Sequence, residues 1–172
     1  EVEYEDITST QIDVAFEITE SPIPELVGAH AVIWTTTPWT IPVNQALAYG
    51  PEVEYSELVV WPAELPLEKM SRQEKLANAA IILVASDLVP AFVERVGVIA
   101  VVQRTYKGSD LAGTVARHPM HHLGGFYAKP RPFLPGDFVT TDSGTGLVHM
   151  SPDHGEDDFL LCRANGLEPV FA

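Results

Sequence analysis

The sequence of 172 residues is poor in cysteine and has no long apolar run. Its single cysteine, Cys162, excludes an internal disulfide and agrees with a reducing compartment. No apolar stretch approaches the roughly 18 residues that a membrane-spanning helix needs. The first ten residues, EVEYEDITST, are acidic where a secretory signal would be basic and then apolar. These absences predict a cytoplasmic domain with no membrane partner.

Basic side chains are also scarce, and their distribution is uneven. The net charge is −14, and residues 1–68 carry thirteen acids without one Lys or Arg. Residues 95–131, in contrast, hold six basic residues against one acid, Asp110. The total charge argues against a nucleic-acid surface built on Lys and Arg. For the segment 95–131 two interpretations stay open, a solvated edge without a partner and a weak phosphate-facing strip.

The hydrophobic and aromatic contents, 46% and 9%, are typical of a globular protein, and the apolar patterns predict mainly strands. We predict a helix from Ser86, as N-cap, to Gly97, as C-cap, and an acid-first helix over residues 155–166. Residues 62–78 are polar and read as a surface insertion. The predicted strands cover residues 12–18, 30–37, 53–61, 79–85 and 98–106, followed by a strand, turn and strand over 137–152. The fold class is therefore α+β, a single domain over 1–172 that is mostly β, with a barrel-like mixed sheet and a few short helices.

Three generic sites can be considered from single motifs. KMSRQ (69–73) resembles the ATP loop of class I aminoacyl-tRNA synthetases, but no HIGH-type motif or nucleotide-binding fold accompanies it. Cys162 has apolar neighbours and reads as a structural cysteine, and no GxSxG motif is present. The histidines could contribute to a zinc site, although no HExxH or cysteine-pair spacing fixes a tetrahedron. They are His118, His121, His122, His149 and His154.

Two stretches, WTTTPWTIPVN (34–44) and SGTGLVHMSPDHGEDDF (143–159), have more unusual chemistry. Strand alternation puts Thr35 and Thr37 on one face and Thr36 on the other. Pro38 ends the strand, so that the following hydroxyls and backbone amides can line a cavity. In the second stretch, Gly144 and Gly146 allow close approach of the backbone. A pocket is expected where these stretches meet.

Together the two stretches resemble the inserted editing domain of isoleucyl-tRNA synthetases. The sister domains of the leucine and valine enzymes have similar segments, but usually carry an arginine in the threonine run and HD in place of His154-Gly155. The triple threonine before PWT and the VHxxPxHGxxD pattern are typical of the isoleucine branch. The resemblance spans nearly the whole chain, including YKGSDLAG and HPM, and implies that the chain is a fragment of a larger synthetase.

The resemblance implies post-transfer editing, the hydrolysis of the ester of Val-tRNA(Ile), with valyl-adenylate as a further substrate. A hydrophobic pocket distinguishes one methylene by only about 1–3 kcal/mol, a limit for which the isoleucine enzymes are themselves the standard illustration. The implied partners are the CCA end of valine-charged tRNA(Ile) and the rest of the synthetase. Editing itself would need no cofactor, because ATP is used by the synthetic domain that this chain lacks.

Residue roles follow from the same resemblance. Asp158 would pair with the α-amino group of the ester, His149 would exclude isoleucine, and Trp39 would form one side of the pocket. A positioned water is the expected nucleophile, and His149 as general base is the competing mechanism. The implied catalytic residues are Thr36, Thr37, Thr40, Asn44, His149 and Asp158. The implied substrate-binding residues are Thr35, Trp39, Gly144, Gly146, Met150, Pro152 and His154.

Two other classes of function stay open. One is a free-standing metal-dependent hydrolase that uses the histidines. The other is a non-catalytic RNA- or protein-binding barrel.

Overall fold

The computed structural model describes residues 12–36, 38–142 and 144–151, and nine strands and two α-helices lie within them. The helices are α1 (Arg72–Ala77) and α2 (Val89–Val96), and several 3₁₀ turns connect the other elements. Strands β1 to β9 are, in chain order, Ile12–Glu20, His30–Thr35, Ala46–Tyr49, Glu54–Pro62, Ala80–Ala85, Val98–Lys107, Val115–Arg117, Pro130–Pro135 and Leu147–Met150.

All nine strands belong to one mixed sheet in the order β6-β4-β5-β2-β1-β7-β8-β3-β9. The pairs β2–β5 and β3–β8 are parallel, and the other neighbours are antiparallel. In the part of the chain that the structure describes, β6 and β9 form the two ends of this order, so the sheet is not a closed barrel. It nevertheless curls, because the turn before β9 bonds to β2 and β5: the Thr145 hydroxyl donates to Val32 O (2.6 Å) and the Ala85 N–H to Thr145 O (2.8 Å).

The core lies inside this curl. Residues 31–33 of β2 and 82–85 of β5 are buried in succession, as expected for neighbouring parallel strands that are covered on both faces. Phe16, Leu58 and Leu111 have no exposed surface and belong to the same hydrophobic cluster. The central strands are thus held from both sides, and β2 ends in a fixed position where the threonine-rich segment begins.

The sequence-based prediction is confirmed for the fold class and for most strands, with corrections at their ends. β2 ends at Thr35, two residues earlier than predicted. The strand predicted over 79–85 is a continuous apolar run, which favours full burial, but the first two residues of β5, Ala80 and Ile81, are exposed. Ser86 is not the N-cap of α2, because a 3₁₀ turn over Ser86–Leu88 precedes the helix. The Ser86 hydroxyl instead bonds to the hydroxyl of Ser56 (2.7 Å). Gly97 is the predicted C-cap, with a left-handed φ of 75°.

Three strands were not predicted from the sequence: β3, which connects the threonine-rich segment to the sheet, and the short strands β7 and β8. A strand was predicted at the start of 137–152, but the chain there forms a turn in which Val139 N–H donates to Gly136 O (3.2 Å). Only the second predicted strand of that segment forms, as β9.

The segment 62–78 connects β4 to β5 and contains α1. Ser71 of the KMSRQ stretch is the N-cap of α1, and together with Glu74 it forms a reciprocal capping box (3.1 and 3.0 Å). The Trp61 indole N–H donates to Lys75 O (2.8 Å) and ties the helix to the end of β4. KMSRQ therefore begins a helix in this chain.

Candidate active site

The two unusual stretches of the sequence meet at one edge of the sheet. After β2 the chain passes through a 3₁₀ turn, Pro38–Val43, which we call the threonine turn, and enters β3. β3 pairs with β9 in antiparallel register, with Leu47 opposite His149. The Gln45 N–H donates to Met150 O (2.9 Å) and extends this pairing back toward the turn. Residues more than a hundred positions apart therefore share one site, as the sequence analysis expected.

His149 is the centre of the contacts between the stretches. It is 8% exposed, and its two ring nitrogens bond to different residues at the threonine turn. Nε2 lies 2.8 Å from the Thr40 hydroxyl, and Nδ1 lies 3.3 Å from Asn44 Nδ2. Since an amide NH₂ only donates, Nδ1 accepts and the ring proton is on Nε2, which donates to Thr40. These two bonds fix the orientation of the imidazole.

Asn44 has no exposed surface, and its amide orientation follows from its partners. Its Nδ2 also donates to Ala46 O (2.9 Å), a carbonyl that can only accept. The other side of the amide, Oδ1, is buried and has no hydrogen-bond partner within residues 12–36, 38–142 and 144–151. A buried acceptor without a partner costs about 1–3 kcal/mol. Asn44 Oδ1 can thus receive a hydrogen bond from a donor that enters the site.

The other residues of the first stretch lie at different depths. Thr35 and Thr40 are buried and Thr36 is exposed, so the predicted alternation of Thr35 and Thr36 is confirmed. The Trp39 side chain is 66% exposed and lies beside buried Thr40 in the same turn. Met150 is fully buried in a small cluster with Ala46 and Ala48. Thr40, Asn44 and His149 therefore form the inner part of the site, and Thr36 and Trp39 lie at its surface.

Gly144 and Gly146 both have the left-handed backbone that favours glycine, with φ of 80° and 79°. A Cβ on Gly146 would lie 2.4 Å from Ala85 Cβ, and one on Gly144 would lie 3.1 Å from the Trp34 ring. The close approach seen at these positions is therefore to protein side chains. Their predicted contact with substrate stays a prediction.

Tyr55 fixes the turn before β9, which contains Gly146. Its buried hydroxyl accepts from the Gly50 N–H (2.9 Å) and donates to Gly146 O (2.5 Å). Burial raises the pKa of Tyr55 to about 12, so the hydroxyl keeps its proton. Neither Tyr55 nor Thr145 was predicted from the sequence to hold this turn, because an isolated Tyr in a strand carries no spacing signal and the GTG stretch does not show which groups its threonine contacts.

Of the RHPMHH histidines, His118 is fully buried, His121 is partly buried and His122 is exposed. In the described part of the chain, no three His, Cys, Asp or Glu side chains come together as a group that could hold a metal ion. His118 Nε2 instead lies 2.8 Å from Ile41 O in the threonine turn. This buried contact was not anticipated from the sequence.

Comparison with known proteins gives the family. No protein-family model matches the chain. Over its whole length the chain is 51% identical to an isoleucine–tRNA ligase of Zymomonas mobilis, and over 98% of its length it is 50% identical to that of Gluconobacter oxydans. The chain is homologous to one segment of the isoleucine–tRNA ligases. It spans 17% of the length of each of these ligases.

Solved structures show which fold this ligase segment has. It is similar to the editing domain of a cytosolic leucyl-tRNA synthetase of P. knowlesi, with a TM-score of 0.66 over 96% of this chain and 68% of that one, at 11% identity. The corresponding P. falciparum editing domain matches with a TM-score of 0.62 over 80% and 47%, at 16% identity. The ligase segment therefore has the editing-domain fold predicted from its motifs.

The basic residues of 95–131 in this ligase segment are mostly neutralised by acids or buried. Arg95 pairs with Asp13 (2.7 Å) and Arg104 with Glu57 (2.9 Å). Two further pairs are Lys107 with Glu52 (3.9 Å) and Arg117 with Glu17, while Arg131 is 1% exposed. This arrangement favours the interpretation as a surface without a phosphate partner.

Four of the predicted site residues of the ligase segment lie outside the described residues, as does the predicted helix 155–166. Within the described residues, no helix is long and apolar enough to cross a membrane. The predicted site residues outside the described ranges are Thr37, Pro152, His154 and Asp158.

Proposed function

We propose that this chain hydrolyses the ester of tRNA(Ile) that has been mischarged with valine, and that it excludes isoleucine by the size of its pocket. The proposal extends to valyl-adenylate as a second substrate. The observation that supports it best is the meeting of Thr40, Asn44 and His149 in one buried hydrogen-bonded group. These three positions are among those that the resemblance to isoleucyl-tRNA synthetases marks as functional.

In this proposal the reaction is attack of a positioned water on the ester carbonyl. Asn44 Oδ1, a buried acceptor, receives a hydrogen bond from that water. Positioning by fixed groups lowers the barrier because the water and the ester need no further orientation. The ester oxygen and the terminal adenosine lie against the hydroxyls of Thr36, Thr37 and Thr40, and Asp158 binds the cationic α-amino group.

His149 acts by shape and orientation in this proposal. A general base must have a nitrogen that can take a proton from the nucleophile. Both nitrogens of His149 already bond to protein groups, Nε2 to Thr40 and Nδ1 to Asn44. The fixed ring is instead suited to limit the length of the aminoacyl side chain, because it cannot rotate without losing two hydrogen bonds.

The remaining parts of the proposal concern the parent enzyme. The chain spans about a sixth of its relatives, so the rest of a cytoplasmic ligase would bind most of the tRNA and carry the ATP-dependent synthetic site. This segment would receive only the CCA end. Editing would then need neither ATP nor a metal ion.

Deacylation of Val-tRNA(Ile) and Ile-tRNA(Ile), each with and without a chelator, tests the proposal. The measurement uses the chain at high protein concentration and the full-length ligase that contains it, each with the matched Asp158→Ala variant. We expect release of valine but not of isoleucine, no effect of the chelator and loss of release in the variant.

Other outcomes are also informative. Release that the chelator stops would favour the metal-dependent hydrolase. If the full-length ligase releases no valine, the editing proposal is wrong and a non-catalytic RNA-binding domain is the better interpretation.

A further inference from the structure

His118 lies outside the group formed by Thr40, Asn44 and His149, yet it contacts the same turn. It follows β7 directly, in the RHPMHH segment, and is fully buried. We infer that His118 is a positioning residue: it holds the threonine turn through the Ile41 carbonyl and so sets the contacts of Thr40 and Asn44 with His149. The inference rests on the proposed hydrolysis and adds to it a residue that does not touch substrate.

The direction of the hydrogen bonds is determined by a backbone amide. The Met120 N–H donates to His118 Nδ1 (3.0 Å), so the ring proton is on the other nitrogen. Nε2–H then donates to Ile41 O at 2.8 Å. His118 is neutral in this arrangement, and each of its nitrogens has one defined role.

The Ile41 carbonyl of the threonine turn accepts two hydrogen bonds. It accepts the His118 bond and also the Asn44 N–H bond (3.0 Å) that closes the turn. Thr40 immediately precedes Ile41, and Asn44 follows it by three residues. A displacement of this carbonyl therefore moves both residues that bond to His149.

The His118 ring itself cannot shift easily. It packs edge-on against Phe16 of β1, with ring centroids 5.8 Å apart, and against Tyr127 at 5.1 Å. Phe16 is fully buried in the main core cluster. His118 thus connects the threonine turn to β1 in the middle of the sheet and supports the turn rigidly.

Two substitutions at this position separate the two hydrogen bonds. In His118→Gln the amide nitrogen reaches about as far as Nε2 and can still donate to Ile41 O, but the acceptor for Met120 N–H is lost. In His118→Asn the amide oxygen lies near the position of Nδ1 and can accept from Met120 N–H, but the bond to Ile41 is lost. His122→Asn, in the same segment with an exposed side chain, is the control.

The readout is kcat and KM for Val-tRNA(Ile) with the full-length ligase, measured with the folded fraction of each variant. We expect His118→Asn to lower kcat about tenfold or more with little change in KM, since misplaced groups act on the chemical step. His118→Gln should stay within about twofold of the parent ligase, as should the control. Equal losses of kcat in the Gln and Asn variants, or no loss in either, would overturn the inference.

An NMR measurement keeps the inference separate from the proposed hydrolysis. The ring ¹⁵N signals of His149 report which nitrogen carries the proton and how strongly it is bonded. We expect them to change in His118→Asn and to stay unchanged in His118→Gln and His122→Asn, even if the protein shows no esterase activity. Unchanged His149 signals in His118→Asn would contradict a positioning role.

Discussion

At the scale of single residues, the orientation of His149 is fixed by neighbouring protein groups. Thr40 and Asn44 bond to opposite nitrogens of the ring, at 2.8 and 3.3 Å. Thr40 lies in the threonine turn and Asn44 directly follows it, so one short segment sets the tautomer and the orientation of the imidazole. In the proposed hydrolysis, Thr40 therefore has a specific role: its hydroxyl orients the ring of His149.

Replacing Thr40 by Val keeps the size of the side chain and removes the hydroxyl. The buried Nε2–H of His149 then loses its acceptor, at a cost of about 1–3 kcal/mol. We expect hydrolysis of Val-tRNA(Ile) to fall about tenfold to a hundredfold in Thr40→Val. Thr40→Ser, which keeps the hydroxyl, is the matched control and should retain most of the activity; equal losses in both would mean that the hydroxyl has no role. Single-turnover deacylation is the suitable assay.

His118 predicts a pH dependence of stability. Burial lowers its pKa, the nearby charges of Arg131 and His121 lower it further, and the bond to Ile41 opposes them. An unfolded His titrates near 6.5, so the contribution to stability is complete above that pH and is lost as the pH falls below it. The cleft beside His118, of about 190 Å³, also contains other charged or titratable groups, which are Glu17, His30 and Arg117.

The measurement is urea unfolding at several values between about pH 7 and 5. We expect the stability of His118→Gln to decrease less steeply toward low pH than that of the unmodified chain. His122→Gln, at an exposed position, should keep the original slope. If His118→Gln also keeps it, His118 does not stay neutral in the folded protein.

At the scale of elements, two turns hold the site, and both are anchored to central strands. The turn before β9 is fixed by Thr145 to Val32 and by Tyr55 to Gly146. The threonine turn is held by His118 through Ile41. Because the anchors come from β2, β4 and the end of β7, the site depends on the correct register of distant strands.

Replacement of Gly146 by Ala should destabilise the protein more than the same replacement at Gly97, although both glycines have a left-handed backbone. Its φ of 79° is close to the 75° of Gly97, but Gly97 has nothing within 4 Å of an added Cβ, whereas Gly146 has Ala85 Cβ at 2.4 Å. We expect Gly97→Ala to lower the free energy of unfolding by about 1 kcal/mol from backbone strain alone. Gly146→Ala should cost clearly more, because the packing between the turn and β5 must open. Urea unfolding of the two variants gives the comparison, and equal costs would contradict the close packing.

Ser71→Ala tests the local role of the KMSRQ stretch. Loss of the N-cap hydroxyl should destabilise α1 by about 1 kcal/mol. Faster amide exchange confined to Arg72–Ala77, with unchanged deacylation, is the expected result. Loss of deacylation in this variant would instead assign the stretch a function beyond the helix start.

Strands could be predicted from the sequence where the alternation or composition of the residues matches the burial pattern of the strand, and not elsewhere. β1 alternates, and β6 is rich in β-branched residues, so both were predicted. β3, ALAY, is buried at all four positions between β8 and β9, and therefore has no alternation to detect. DFVTT has strand-like composition, but Gly136 directs it into a turn. The contact of His118 with Ile41 joins residues 77 positions apart and has no sequence signal at all.

At the scale of the whole molecule, charge pairing limits what this domain can contribute to RNA binding. The acids of residues 12–57 neutralise four of the six basic residues in 95–131. Arg131 is buried, and its guanidinium donates to Lys129 O and Phe126 O and lies 4.7 Å from the Phe126 ring. Arg95, Arg104 and Lys107 are also exposed but pair with acids, so that within the described residues of that segment Lys129 is the exposed basic side chain without an acidic partner.

The isolated chain should therefore bind tRNA(Ile) weakly and with little dependence on salt. Each phosphate contact to a single strand adds about −0.7 to the slope of log K against log salt, and few such contacts are available. Fluorescence titration at several salt concentrations, with the full-length ligase as the reference, measures both slopes. A tight and strongly salt-dependent complex with the chain alone would contradict this prediction.

The pairing of Arg95, Arg104, Lys107 and Arg117 has a consequence for how the proposed reaction is supplied with substrate. In the proposed function, a domain with little affinity of its own would work by effective concentration: the remainder of the ligase would hold the tRNA, and the CCA end would sample the site as an intramolecular partner. Low affinity then becomes useful, because a correctly charged end is not retained. The rate at which errors are removed would depend on the linkers that join this segment to the enzyme as much as on the site itself.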